Sequence, residues 1–93
     1  MTDYTIRIEL HDASWDEYEE MYGYLAAVGI TDVITSDKGI SYKMPPAEYN
    51  YQGSENRSQV LEMAKAAATR VVSSFAVLVT QANGRTWHGL EKV

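Results

Sequence analysis

The segment Tyr4 to Leu10 sets Tyr4, Ile6, Ile8 and Leu10 on one parity and Thr5, Arg7 and Glu9 on the other. A period of two is the pattern of a strand with one buried and one open face. A helix start follows at once. Ser14 and, three residues on, Glu17 form a capping box, and more acids in the first turn complement the helix dipole. Trp15, Tyr18, Tyr22, Leu25 and Ala26 recur at helical spacing and are expected to face the sheet. Gly29 supplies the left-handed residue that ends the helix.

Thr31 to Thr35 is rich in β-branched residues, Ser36-Asp37-Lys38-Gly39 is turn chemistry, and Ile40 to Met44 alternates again, so a hairpin is expected. Pro45-Pro46 stops it, because proline cannot donate to a ladder. Ala47 to Gly53 has no period and reads as a loop carrying Tyr49 and Tyr51. A second helix begins near Asn56 or Ser58, with Val60, Leu61, Ala64, Ala67, Ala68 and Val71 on its inner face. The apolar run Phe75 to Thr80 reads as a central strand covered on both sides, or as one of ambiguous register. Asn83-Gly84 predicts a tight hairpin into a last strand, Thr86 to Leu90.

The order is β-α-β-β-α-β plus one strand. It predicts a single α+β domain over residues 1–93 with a ferredoxin-like antiparallel sheet. Both helices would lie on one face, strands one and three in the centre, and the extra C-terminal strand at the edge beside the fourth. A small α/β sandwich with another strand order is the alternative.

The chain has no cysteine, so disulfides, thiolate metal sites and cysteine nucleophiles are excluded. Core burial must stabilise the fold, with a homodimer as further support. No stretch approaches the roughly 18 apolar residues of a membrane span, and no basic run precedes an apolar one, so a cytoplasmic protein is expected. The net charge of −5 is uneven: up to residue 32 eight acids face one base, Arg7, and thereafter five acids face seven bases. An acidic chain is repelled on average by phosphate backbones, which argues against tight, sequence-blind nucleic-acid binding, with no DNA partner expected, and leaves room for a local basic site in the C-terminal two thirds.

Three groups of residues carry candidate chemistry. His11-Asp12 follows the first strand, where rigid scaffolds present functional groups; Asp12 could hold a magnesium ion and His11 could move a proton. The same pair also reads as an ordinary turn. His88 would lie at the same end of the sheet, two strand spacings or about 10 Å from His11, and two histidines could act as acid and base in RNA cleavage by a ribose 2′-hydroxyl. The register of the final hairpin also allows His88 to face the helices. Arg7, Arg57 and Arg85 could hold phosphates, and Tyr42, Tyr49 and Tyr51 could stack on unpaired bases. No Gly-rich phosphate loop, metal-spaced histidine cluster or nucleophile elbow is present.

The segments Tyr4-Thr-Ile-Arg-Ile-Glu-Leu-His-Asp12, Pro46-Ala-Glu-Tyr-Asn-Tyr51, Arg57-Ser-Gln-Val-Leu-Glu62, Val77-Leu-Val-Thr80 and Asn83-Gly-Arg-Thr-Trp87 give the chain another reading. In them it resembles the GhoS-like antitoxins of type V toxin–antitoxin systems. The resemblance implies a ferredoxin-like fold related to the small CRISPR-associated endoribonucleases. It also implies cleavage of the single-stranded messenger of a small membrane-lysing toxin peptide. Those relatives carry an acid just after the first strand, the place Asp12 holds here. A non-catalytic interaction or RNA-binding protein that dimerises through its sheet is the alternative.

Overall fold

A computed structural model describes all residues, Met1–Val93. The elements in order are β1 (Thr2–Leu10), α1 (Trp15–Ala26), β2 (Val33–Thr35), β3 (Ser41–Lys43), β4 (Glu48–Gly53), α2 (Arg57–Thr69) and β5 (Phe75–Ala82). They form a three-stranded antiparallel sheet, β4-β1-β5, and a separate two-stranded sheet, β2-β3. No helix is long and apolar enough to cross a membrane.

The alternation in β1 works as read. Tyr4, Ile6, Ile8 and Leu10 are buried, while Arg7 and Glu9 are exposed on the other face. Met21 and Leu25 of α1, Val60, Ala64, Ala67 and Ala68 of α2, and Tyr49 and Tyr51 of β4 pack with them in one core. Both helices therefore cover the same face of the sheet. Both also start on reciprocal caps. Glu17 N–H donates to Ser14 Oγ at 3.3 Å and Ser14 N–H to Glu17 Oε1 at 2.9 Å. Asn56 and Gln59 repeat the arrangement at 2.9 and 2.8 Å. At the end of α1, Gly29 has φ +85°, and Ile30 N–H closes back onto the Leu25 carbonyl at 3.0 Å, a Schellman turn.

Four expectations are corrected. Glu48–Gly53, read as a loop, is β4 and pairs with β1 from Thr2↔Gly53 to Arg7↔Glu48. Tyr49, Tyr51 and Gly53 are buried on one side, while on the other Gln52 is exposed and Glu48 and Asn50 are half-buried. The β2-β3 hairpin forms at the expected place but stays outside the main sheet, held to β4 by the Thr31↔Asn50 bridge just before β2 and by Asn50 Nδ2, which donates to the Val33 carbonyl at 3.1 Å. Hence β1 alone, flanked by β4 and β5, is central. Thr86–Leu90 is not a strand. After Asn83 the chain crosses to β3 instead: Lys43 N–H donates to the Glu91 carbonyl at 2.8 Å, Val93 N–H to the Ser41 carbonyl at 3.1 Å, and Trp87 packs edge-on against Tyr42 at 5.5 Å. Burying an indole against the hairpin prevails over a two-residue turn that only pairs backbone. Finally, Trp15, expected to face the sheet, is 65% exposed, and Ala26 is exposed too. Trp15 is the first residue of α1 and precedes its buried residues by a turn and a half.

The diverted tail leaves β5 with one partner. Ile8 N–H donates to the Ala47 carbonyl and His11 N–H to the Ser74 carbonyl, at 2.9 and 3.0 Å. Given the registers, even-numbered residues of β1 bond to β4 and odd-numbered ones to β5. On β5, therefore, Ala76, Leu78, Thr80 and Ala82 turn their backbone groups to β1, and Phe75, Val77, Val79 and Gln81 turn theirs to the free edge.

A tyrosine clamp closes the β4–α2 connection. Tyr51 hydroxyl donates to Glu55 Oε1 and Tyr4 hydroxyl to the Glu55 carbonyl, each at 2.6 Å. The Tyr51 hydrogen bond holds the Glu55 carboxyl below the ordinary glutamate pKa and raises the Tyr51 phenol. A carboxyl with a depressed folded-state pKa stabilises the fold above its unfolded pKa and loses that contribution as pH falls through the folded value. Tyr51→Phe is thus expected to lower the melting temperature at pH 7, with the gap to wild type narrowing by pH 3. Thermal melts at both pH values check this.

Candidate functional site

The sheet's geometry separates the candidate residues. His11 extends the β1–β5 ladder by one step and sets Nδ1 2.8 Å from Ser74 Oγ, at the end of the sheet where α1 begins. Asp12 follows in the left-handed region, φ +55°, and both residues are exposed. No three His, Asp or Glu side chains converge as metal ligands anywhere in the chain, so Asp12 belongs to no three-residue ligand group for magnesium.

The three arginines are elsewhere, and two are engaged. Arg7 donates through Nε and Nη2 to Glu9 Oε2 at 3.1 and 2.8 Å and lies 3.5 Å from Glu48 Oε2. Its planar fork is occupied by two carboxylates, so the open face of the sheet carries a net negative charge there rather than a free cation for phosphate. Arg85 donates to the Tyr4 carbonyl at 3.3 Å and Thr5 Oγ1 at 3.1 Å, strapping the post-β5 segment across the start of β1. Arg57 is the exposed first residue of α2, four residues past Gly53, the partner of Thr2. At a strand rise of about 3.3 Å per residue, Arg85, held at Tyr4 and Thr5, thus sits about 20 Å along β1 from His11-Asp12, and Arg57, beyond the Thr2 end, about 30 Å. His88 is exposed on the tail that crosses to β3, not on a strand paired with β5, and the expected register with Val79 does not form. The sheet does not place His88 two strands from His11, because its segment never joins that sheet.

The tyrosines proposed for base stacking are committed otherwise. Tyr49 and Tyr51 are buried under the helices, and Tyr42 packs on Trp87. What sequence reasoning missed lies beside them. A groove of about 600 Å³ runs along Trp15, Tyr18 and Tyr22 of α1, facing Pro45, Pro46 and Leu90. Behind Tyr22 a recess of about 170 Å³ is bounded by Tyr22, Leu25, Ile30, Asp32 and Tyr49. The Tyr49 side chain is almost wholly buried, yet its hydroxyl has no hydrogen-bond partner. Burial, and then the neighbouring Tyr22, push the Tyr49 phenol well above its usual pKa. The only sequence signal for this cluster was the helical spacing of Trp15, Tyr18 and Tyr22, which core packing explains equally well. The chain matches no model of a known protein family and no curated protein.

The φ of Asp12 makes one expectation sharp. Glycine accepts that conformation freely and a β-branched residue does not. Asp12→Gly should leave the unfolding free energy within about 0.5 kcal/mol of wild type, while Asp12→Val should cost about 1–2 kcal/mol. Urea denaturation compares them. Asp12→Gly also removes the carboxylate without disturbing the turn.

Proposed function

We propose that this chain is a non-catalytic interaction module of ferredoxin-like fold that works as a homodimer joined edge to edge through β5. The fold reading is supported by β1 between β4 and β5, two crossover helices on one face, and Thr31 bridging the outer side of β4. The observation that carries the function is the free edge of β5. From Phe75 to Ala82 it contains no charge, proline or glycine, the devices that ordinarily blunt an exposed edge. Leu78, on the open face of that edge, is 64% exposed.

A second copy is the occupant that fits. A strand edge is self-complementary in the antiparallel sense, so a two-fold axis satisfies both copies at once. Two chains of net charge −5 repel, and β5 is a charge-free place for them to meet. With the axis at Leu78, Val77 pairs with Val79 and Phe75 with Gln81, giving about eight new backbone hydrogen bonds. Leu78 then faces its own copy across a close, non-hydrogen-bonded pair. Sedimentation velocity tests this. Wild type should run as a dimer nearly insensitive to salt. Val79→Pro removes an outward N–H together with part of the Val79 packing on the core, and should give a less stable but folded monomer. Leu78→Lys, placing like charges on the axis, should dissociate more readily at low salt. Wild type that stays monomeric at about 100 μM, or a Val79→Pro protein that still dimerises, would count against the proposal.

One observation favours a second reading, the antitoxin-type endoribonuclease acting on single-stranded messenger in the cytoplasm. It is the exposed His11–Ser74 pair beside Asp12 at the sheet end. Purified protein would be incubated with a transcript pool, with magnesium and with chelator, beside His11→Ala and Asp12→Gly. Discrete cuts lost in these variants would establish the nuclease. An intact pool under every condition leaves the interaction module.

A further inference from the structure

We propose that Asn83 is a site of spontaneous covalent modification, converting through a cyclic imide to isoaspartate and loosening the Arg85 strap beside it. The site lies just past the end of β5 and does not depend on pairing through that strand's free edge.

The chain has three asparagines, and two are held. Asn50 lies in β4, where its Nδ2 donates to the Val33 carbonyl at 3.1 Å. Asn56 caps α2, its side chain accepting from Gln59 N–H at 2.9 Å. Each precedes a large residue, Tyr51 or Arg57, which crowds the next amide nitrogen. Asn83 differs on every count. It is exposed, it precedes glycine, and pairing with β1 has ended at Ala82. Neither its side chain nor the Gly84 N–H takes part in any of the chain's hydrogen bonds. A tight hairpin would have fixed both residues in one conformation, but the diverted tail leaves that turn unformed, and residues 84–87 have no regular structure. Exposed backbone without hydrogen bonds opens at almost no cost in free energy.

Cyclisation requires the amide nitrogen of the next residue to reach the side-chain carbonyl carbon. Gly84 carries no side chain to hinder this, and a Cβ placed on it would meet nothing within 4 Å. The Gly84 N–H gives its proton to hydroxide, and the nitrogen bonds to Asn83 Cγ. The Cγ–Nδ2 bond breaks, and ammonia leaves. Water then opens the imide. Cleavage at the side-chain carbonyl gives aspartate. Cleavage at the main-chain carbonyl routes the backbone through Cβ and Cγ, which is isoaspartate.

The consequence falls on a short link with both ends held. Ala82 is paired to Asp3 on one side, and Arg85 on the other donates to the Tyr4 carbonyl at 3.3 Å and Thr5 Oγ1 at 3.1 Å. Isoaspartate lengthens this link by one main-chain carbon and sets a carboxylate two residues from the guanidinium. The longer path lifts Arg85 from β1, and the carboxylate competes for its fork with a charge-assisted bond.

The test incubates full-length protein in mildly alkaline and mildly acidic buffer, beside a synthetic peptide of residues 81–85. Mass spectrometry then follows the tryptic fragment between Arg70 and Arg85, in which Asn83 is the one asparagine. The amide should become a carboxyl at Asn83, with isoaspartate exceeding aspartate and the reaction faster in the alkaline buffer. The folded protein should convert within about fivefold of the peptide's rate, because opening there costs so little. Asn83→Gln, which must close a larger ring, should stay unconverted. In ¹⁵N NMR spectra the converted protein should show shifted Thr5 and Arg85 amides, absent from Asn83→Gln treated alike. An Asn83 that stays intact while the peptide converts would overturn the site, as would aspartate as the sole product. Conversion that leaves Thr5 and Arg85 unmoved would overturn the effect on the strap.

Discussion

Everything in this structure hangs on β1. Its even-numbered side chains fill the core under both helices, its even backbone groups bond to β4, and its odd ones bond to β5. One nine-residue strand thus provides the floor of the core and both sheet contacts. Each fully buried aliphatic side chain on that floor contributes about 1.5–3 kcal/mol, so Ile6 and Ile8 alone rival a large part of the net stability of a domain this small. The tyrosines of β4 extend the floor, and their hydroxyls either clamp Glu55, as in Tyr51, or remain unpaired, as in Tyr49.

Much of the fold was legible because its signals are local and periodic. The alternation in β1, the Ser14–Glu17 cap, the Gly29 stop and the alanine face of α2 all follow from spacing alone. The segment Glu48–Gly53 was misread because its alternation is carried by tyrosine against Glu, Asn and Gln, residues of low strand propensity. Period two was there, but only pairing with β1 makes those residues a strand. The end of the chain was misread for the opposite reason. Asn83-Gly84 is strong turn chemistry, yet Trp87 finds Tyr42 on the hairpin, and a distant aromatic contact prevails over a local turn. No reading of neighbours along the chain contains that contact.

The candidate site was legible as residue types and not as a constellation. His11-Asp12 does stand at a strand end, as the sequence suggests, but the arginines that would hold a phosphate are tied to Glu9, Glu48 and the backbone of β1, or lie at the other end of the sheet. The features with unspent interactions are a free strand edge at β5 and two buried polar atoms without a partner, the Tyr49 hydroxyl and Asn50 Oδ1. All depend on what is absent beside a residue, and periodicity does not encode absence.

The edge-to-edge dimer is most directly tested by amide hydrogen exchange along β5 as a function of protein concentration. In the dimer, Phe75, Val77, Val79 and Gln81 become protected alongside Ala76, Leu78, Thr80 and Ala82, and dilution releases only the first set. Fast exchange at those four residues at every concentration, with the alternate set protected, would show β5 to be a free edge in solution and contradict the dimer.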